Sequence, residues 1–248
     1  MKINILLICC IFVLNMCKPE KMNVLLFTKT NAFVHDAKQV ATDALTQLGR
    51  ENSWNVIHTE DSLFFNDDSL KNIDVIVFLL TSGDVFDDSQ KEAFKRFIHS
   101  GKGFVGIHSA TDTEYKWAWF DSLLGAHFLG HPPVQSGKII IEKHQHPAVP
   151  KELNKYWNRE DEWYSFDKNP REHVKVLMSV DENSYRVDEN PWFEGKDLHM
   201  GDHPLVWYQI FEGGKVFQTA LGHTKESYSD PLFLEHIEGA INWAGGRE

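Results

Sequence analysis

Apolar positions along this chain fall into two textures. Up to about residue 113, near-continuous apolar runs alternate with helically spaced ones. Met22-Asn23-Val24-Leu25-Leu26-Phe27-Thr28 and Asp74-Val75-Ile76-Val77-Phe78-Leu79-Leu80 read as strands buried on both faces. Trp54 to Thr59 and Gly103-Phe104-Val105-Gly106-Ile107-His108 supply two more. Val34 to Leu48 places Val40, Ala41, Ala44, Leu45 and Leu48 on one helical face, with Gly49 as the C-terminal cap. Asp87 or Asp88 caps a second helix to about Ser100, with Phe94, Phe97 and Ile98 inward and Gly101 as its stop. Strands and helices alternating through short loops predict a parallel sheet with helices on both faces. Ligands of such sheets bind beyond the carboxyl ends of the strands. Those ends carry Thr28 to Asp36 (with His35 among them), Thr81 to Asp84, and His108 to Thr113.

From about Gly137 the texture changes. Ile139-Ile140-Ile141, Val174 to Val180, Leu205 to Ile210 and Val216 to Ala220 read as strands joined by turns, with Gly213-Gly214 signalling a hairpin. Pro231 to Ala244 is a last helix, with Asp230 as cap and Pro231 in its first turn. The fold class is therefore α/β, a parallel sheet flanked by helices with an antiparallel β elaboration in the C-terminal half. No linker composition divides residues 22–246, so one domain is expected.

Met1 to Cys17 stands apart. Lys2 precedes an apolar run from Ile3 to Leu14, too short for a mature membrane span and right for a signal h-region. Leu14-Asn15-Met16-Cys17 resembles a lipobox, although Met16 replaces the usual small residue. An exported protein is expected, periplasmic or a surface lipoprotein anchored at Cys17, with plain cleavage as the alternative. Cys9, Cys10 and Cys17 are the only cysteines. The domain after the leader therefore has no thiol chemistry and no disulfide. With 36 acidic against 25 basic residues the net charge is −11, and no basic run interrupts it. A nucleic-acid partner is not expected, since phosphate backbones need clustered Lys and Arg. No nucleotide cofactor is indicated either.

Thirteen His and eight Trp are the informative residues: aromatic faces stack on sugar rings as readily as they fill cores, and imidazoles ligate metals or move protons. Gly106-Ile107-His108-Ser109 has the shape of a nucleophile elbow with imidazole where a reactive side chain would sit. His127 and His131, four residues apart, form a candidate metal pair if helical, although Gly130 and Pro132 disfavour a helix. His144 and His146 are read as surface residues. Glu160-Asp161-Glu162-Trp163-Tyr164 alternates acids with aromatics, as sugar grips do, and puts Glu162 and Tyr164 on the face opposite Trp163. Asp202-His203 is a candidate acid–base pair on the way into a strand containing Trp207, and His223 stands at another strand end.

Four stretches carry a resemblance: Gly106 to Asp112, Asp161 to Tyr164, Asp202-His203-Pro204, and Thr219 to Tyr228. Together with Asp230-Pro231 to Gly245 they resemble the motif set of the ThuA-like (trehalose-utilisation) family over about residues 22–246. The resemblance implies a class I glutamine-amidotransferase-like, flavodoxin-like fold and a place in carbohydrate catabolism. Relatives in that superfamily use a cysteine where His108 stands, so amidotransferase activity is not expected. Gly201 precedes Asp202 where the family often has a second acid, which weakens any two-carboxylate role there.

The leading expectation is an enzyme acting on oxidised (3-keto) glucosides or disaccharides by proton abstraction, isomerase- or lyase-like. His108, Glu162, His203 and His223 are its catalytic candidates. His35, Asp112, Trp163, Tyr164 and Trp207 are its substrate contacts. A divalent ion such as Zn or Mn, at His127 and His131 or held by other His and carboxylate groups, serves as electrophile. Two alternatives stand beside it. One is a glycoside hydrolase using Glu162 with Asp112 or Asp202 across a cleft of about 5–9.5 Å. The other is a non-catalytic surface sugar-binding module. The sequence leaves the oligomeric state open.

Overall fold

Strand β1 (Met22–Phe27) sends Val24 and Leu26 to one face of a sheet and Leu25 and Phe27 to the other, and both faces are covered. The computed structural model describes residues 21–189 and 191–247. The leader, its three cysteines and the Cys17 anchor lie outside the described residues. β2 (Trp54–Thr59), β3 (Val75–Leu79) and β4 (Gly103–Ile107) join β1 in parallel register. A last parallel strand pairs with β4 from far along the chain, Gly214–Thr219, which is β11. The order β2-β1-β3-β4-β11 is that of a flavodoxin-like sheet with β11 in the fifth place.

The antiparallel elaboration continues this same sheet beyond β11. β10 (Pro204–Phe211), β9 (Lys175–Val180), β6 (Gln135–Ile141) and β7 (Tyr156–Asp161) extend it to nine strands. β5 (Phe128–Gly130) and β8 (Ser165–Phe166) form a separate two-stranded ribbon.

Helices α1 (Lys38–Glu51) and α5 (Pro231–Ala244) cover one face, through Ala41, Leu45, Phe233, Ile237 and Ile241. The short α2 (Asp67–Leu70), α3 (Asp88–His99) and α4 (Ala118–Leu124) cover the other. That second layer is aromatic: the Phe78 ring lies 5.7 Å from Phe94 and 5.1 Å from Phe104. Asp87 closes a capping box with Gln90, and Asp230 accepts the Leu232 amide ahead of Pro231.

Three local expectations are corrected. α1 starts at Lys38, leaving Val34 and Val40 exposed, and runs through Gly49 rather than ending there. Gly49 is needed for packing, since a Cβ there would sit 2.4 Å from Val56 Cγ2. The hairpin turn is Glu212-Gly213, with φ of 47° and 94°, the two positive values of a type I′ turn. His146 is buried against Tyr208, Phe217 and Trp243 instead of lying at the surface. No helix among the described residues is long and apolar enough to cross a membrane.

Candidate metal centre and active-site cavity

At the end of β4 the backbone turns sharply. His108 takes φ of 53°, the left-handed region that side chains other than glycine rarely adopt, and a 3₁₀ turn follows it. Gly106 makes the approach feasible, since a Cβ there would meet Ala110 Cβ at 2.9 Å. The elbow buries His108 completely. Its Nδ1–H donates to the Ala220 carbonyl at 2.7 Å, because a carbonyl can only accept. That fixes the tautomer and leaves the Nε2 lone pair facing the site, the way a carbonyl behind a metal-binding imidazole orients its ring.

Three other segments bring side chains to the same point. His223 follows β11 after the left-handed Gly222. Glu162 follows β7, and His35 comes from the loop after β1. Glu162 Oε2 lies 3.0 Å from His223 Nδ1 and 3.4 Å from His108 Nε2, and the two imidazole nitrogens are 3.2 Å apart. The His35 ring lies 4.9 Å from His108 and 5.2 Å from His223, and its buried Nδ1 has no hydrogen-bond partner. One donor atom from each of the four falls within 4.8 Å of the others. Donors about 2.0–2.1 Å from a tetrahedral zinc stand roughly 3.3 Å from one another. The observed separations, the orphaned His35 nitrogen and the N/O donor set therefore fit one divalent ion.

Asp161 holds two of these segments together. Its carboxylate accepts the amides of Gly222, His223 and Glu162, each at 3.0 Å. Arg159 Nη2 reaches it at 3.1 Å, with the guanidinium between Trp157 and Phe233 at 4.8 and 4.9 Å.

The electrostatics follow from burial and proximity. Burial, reinforced by His108 and His223, lowers His35 to about 2, so it is a neutral donor. Burial alone would raise Glu162, but the imidazoles of His108 and His223 beside it outweigh that and hold the carboxyl well below its ordinary range. Burial opposes protonation of His223, yet its bond to Glu162 raises it above its ordinary value.

These groups form the floor of a cavity of about 540 Å³, inside the range of ~300–1,000 Å³ usual for small-molecule sites. Its walls include Phe33, Asp112, Phe128, His131, Tyr164, Trp192 and Phe193. His131 Nδ1–H is shared between Glu162 Oε1 at 3.0 Å and the Pro132 carbonyl at 2.9 Å, leaving Nε2 as an acceptor. Burial lowers its pKa, partly offset by Glu162. Asp112 is shifted the other way: burial raises it against the hydrogen bond from Tyr115. The Tyr164 ring packs 4.1 Å from His108.

Of the residues expected from the sequence, the structure places His35, His108, Asp112, Glu162, Tyr164 and His223 around this one cavity. Other assignments are corrected. Trp163 and Trp207 are core residues rather than sugar contacts, their indole N–H groups donating to Gln135 and Leu124 carbonyls. His127 does not pair with His131, because the two flank β5, and four extended residues span about 13 Å. Its Nδ1–H instead donates to the Thr111 carbonyl. His203 sits behind the cavity, Nε2 at 2.8 Å from the Tyr164 carbonyl and Nδ1 at 2.8 Å from Glu182. Asp202 is not its partner; it binds Arg171 in an exposed ion pair. Asp161, Arg159, Glu182, Phe33, Trp192 and Phe193 were missed. Asp161 lay inside a quoted motif, but nothing in the sequence told a backbone clamp from a ligand.

Comparison with known proteins agrees with this architecture. The family model described as trehalose utilisation (ThuA) matches residues 23–244. A ThuA-like protein from Bacteroides uniformis superposes with TM-score 0.76 at 23% identity, covering 94% of this chain and 95% of that one. Another from Parabacteroides merdae gives 0.72 at 19% identity, covering 92% and 91%. A β-galactosidase from Bacillus circulans sp. alkalophilus gives 0.55 at 13% identity, covering 92% of this chain and 32% of that one. No curated protein matches the chain.

Proposed function

Since the chain belongs to the ThuA trehalose-utilisation family, we propose that it is a metal-dependent enzyme acting on an oxidised (3-keto) glucoside or disaccharide by proton abstraction. The observation that carries the reading is the convergence of His35, His108, His223 and Glu162 at the floor of an aromatic-walled cavity. These four side chains would hold the ion. A bound divalent ion supplies a Lewis acid for a ketone oxygen and the charge that develops on it.

The chain supplies the proton chemistry. His131 is neutral near pH 7, and its Nε2 takes the proton from the carbon beside the ketone. The C–H electron pair moves toward the ketone carbon and charge builds on its oxygen. Reprotonation at the former ketone carbon, with the hydroxyl proton of the neighbouring carbon passing to the former ketone oxygen, gives the isomeric ketone. Alternatively the enolate electrons return and the neighbouring C–O bond of the glycosidic link breaks, which is a lyase step. Asp112, held toward its acid form by burial, protonates the departing oxygen. The signal-like run from Lys2 to Cys17 supports an exported location for this chemistry.

Elemental analysis of the purified domain, beside NMR of 3-keto-trehalose or a 3-keto-glucoside incubated with it, tests the proposal. Near-stoichiometric metal and new sugar resonances, both lost in His108→Ala, are expected. No metal and an unchanged spectrum overturn it.

One observation favours a second reading. Asp112 and Glu162 line the same cavity with their pKa values pushed apart, as in a two-carboxylate hydrolase. That reading predicts metal-independent cleavage of unoxidised glycosides. Its variant with Asp202 is dropped, because Asp202 lies outside the cavity and is bound to Arg171.

A further inference from the structure

Two large aromatic side chains stand exposed at the mouth of this cavity. Phe33 is 61% exposed and Trp192 62%, although the fold buries most of its other rings. Scattered exposed apolar residues are ordinary, but two that line one cavity from separate segments form a shared surface. Phe33 comes from the loop after β1, its ring edge-on to His35 at 4.8 Å. Trp192 comes from the segment between β9 and β10, its ring tilted against His131 at 5.5 Å. Phe33 therefore lies one step outward from an imidazole of the floor, and Trp192 one step outward from the wall imidazole His131.

Trp192 is presented from a seated base. Its neighbour Phe193 packs 5.0 Å from His131 and 5.7 Å from Phe128, over Gly130, where a Cβ would meet Phe193 Cγ at 2.9 Å. Among the described residues, no Lys or Arg lines the cavity. A phosphorylated sugar would find no cation to match its charge.

We infer that Phe33 and Trp192 form a second sugar subsite at the mouth, which takes the distal pyranose ring of a neutral disaccharide while the first ring lies at the floor. Aromatic faces meet the apolar C–H face of a pyranose and leave its hydroxyls in water. The volume agrees: about 540 Å³ falls in the range of pockets for drug-sized ligands, which carry roughly twice the atoms of one hexose. The inference rests on the sugar reading above and deepens it to a substrate class, non-phosphorylated disaccharides.

Binding separates the two ideas without needing turnover. Trehalose, 3-keto-trehalose, cellobiose, maltose, glucose and glucose 6-phosphate are titrated against the wild-type protein, Trp192→Ala, Phe33→Ala and Trp192→Phe by calorimetry and ligand-observed NMR. The wild type is expected to bind at least one disaccharide more tightly than glucose and glucose 6-phosphate. Both alanine variants should lower the disaccharide-to-glucose affinity ratio about tenfold, and Trp192→Phe should keep most of it. An unchanged ratio in both alanine variants overturns the subsite while the sugar reading stands. Tighter binding of glucose 6-phosphate than of any disaccharide overturns it too. A wild type that binds none of these sugars overturns the sugar reading and the subsite with it.

Discussion

The His223 amide donates to Asp161 Oδ1 at 3.0 Å, so a carboxylate at the end of β7 sets where an imidazole after β11 stands. The same carboxylate takes the amide of Glu162, which makes Asp161 a positioning residue for two of the four converging groups. Asp161→Asn keeps the shape, loses the charge facing Arg159 and cannot accept equally at both oxygens. Zinc affinity, measured by chelator competition, should fall about 10–100-fold while circular dichroism shows the fold retained. Unchanged affinity would remove Asp161 from the site.

Glu162 raises the pKa of His223 against the opposing effect of burial. In Glu162→Gln that attraction is gone and the burial remains. The His223 ring should then titrate below its ordinary value, followed by NMR in metal-free protein. A pKa that stays raised would mean that another acid, such as Asp161 or Asp36, holds the proton.

Acid should destabilise the metal-free protein in a defined window. Burial lowers His35 to about 2 and His146 and His236 to about 4, from an unfolded value near 6.5. Between those limits the unfolded chain binds more protons, so stability falls as pH falls below about 6.5, by up to about 1.4 kcal/mol per pH unit for each imidazole. Glu162, with its folded pKa depressed, adds loss in the same direction below about 4.5. His223 acts oppositely: its contribution is complete below 6.5 and disappears as pH rises through its raised value. Urea unfolding from pH 4 to 8 with chelator present should therefore peak near neutrality. A flat acid limb would contradict the burial of these rings.

Three tryptophans separate core from rim. Trp163 is fully buried, close against Gly137, where a Cβ would meet its ring at 2.6 Å, and Trp207 is anchored to the Leu124 carbonyl. Trp163→Ala and Trp207→Ala should each lose about 3–5 kcal/mol of stability. Trp192→Ala should change it by about 0.5 kcal/mol or less, as surface substitutions do. Denaturant midpoints with an unchanged m-value give the comparison.

The parallel half of the sheet was legible because buried strands write themselves as continuous apolar runs, as β1 and β3 do. Strand ends follow from them, which is why His108 and His223 stand out from the sequence as candidates. The return of β11 to pair with β4 was not legible, since no local pattern says which edge a distant strand joins. Spacing misled at His127 and His131, where four residues were weighed as a helical face and β5 stretched them apart. Partners distant in sequence misled at Asp202: Arg171 captured it, and Glu182 took its place beside His203. Trp163 and Trp192 look alike in sequence; only the packing of Gly137 against one of them tells core from mouth.

The left-handed backbone at His108 has an evolutionary consequence. Such a conformation costs a non-glycine residue of order 1–3 kcal/mol, and glycine would occupy it with little strain. The chain instead keeps an imidazole there, fully buried and φ 53°. His108→Gly should relax the turn while removing one of the four converging donors, so under the proposed function robustness and chemistry pull this one position in opposite directions.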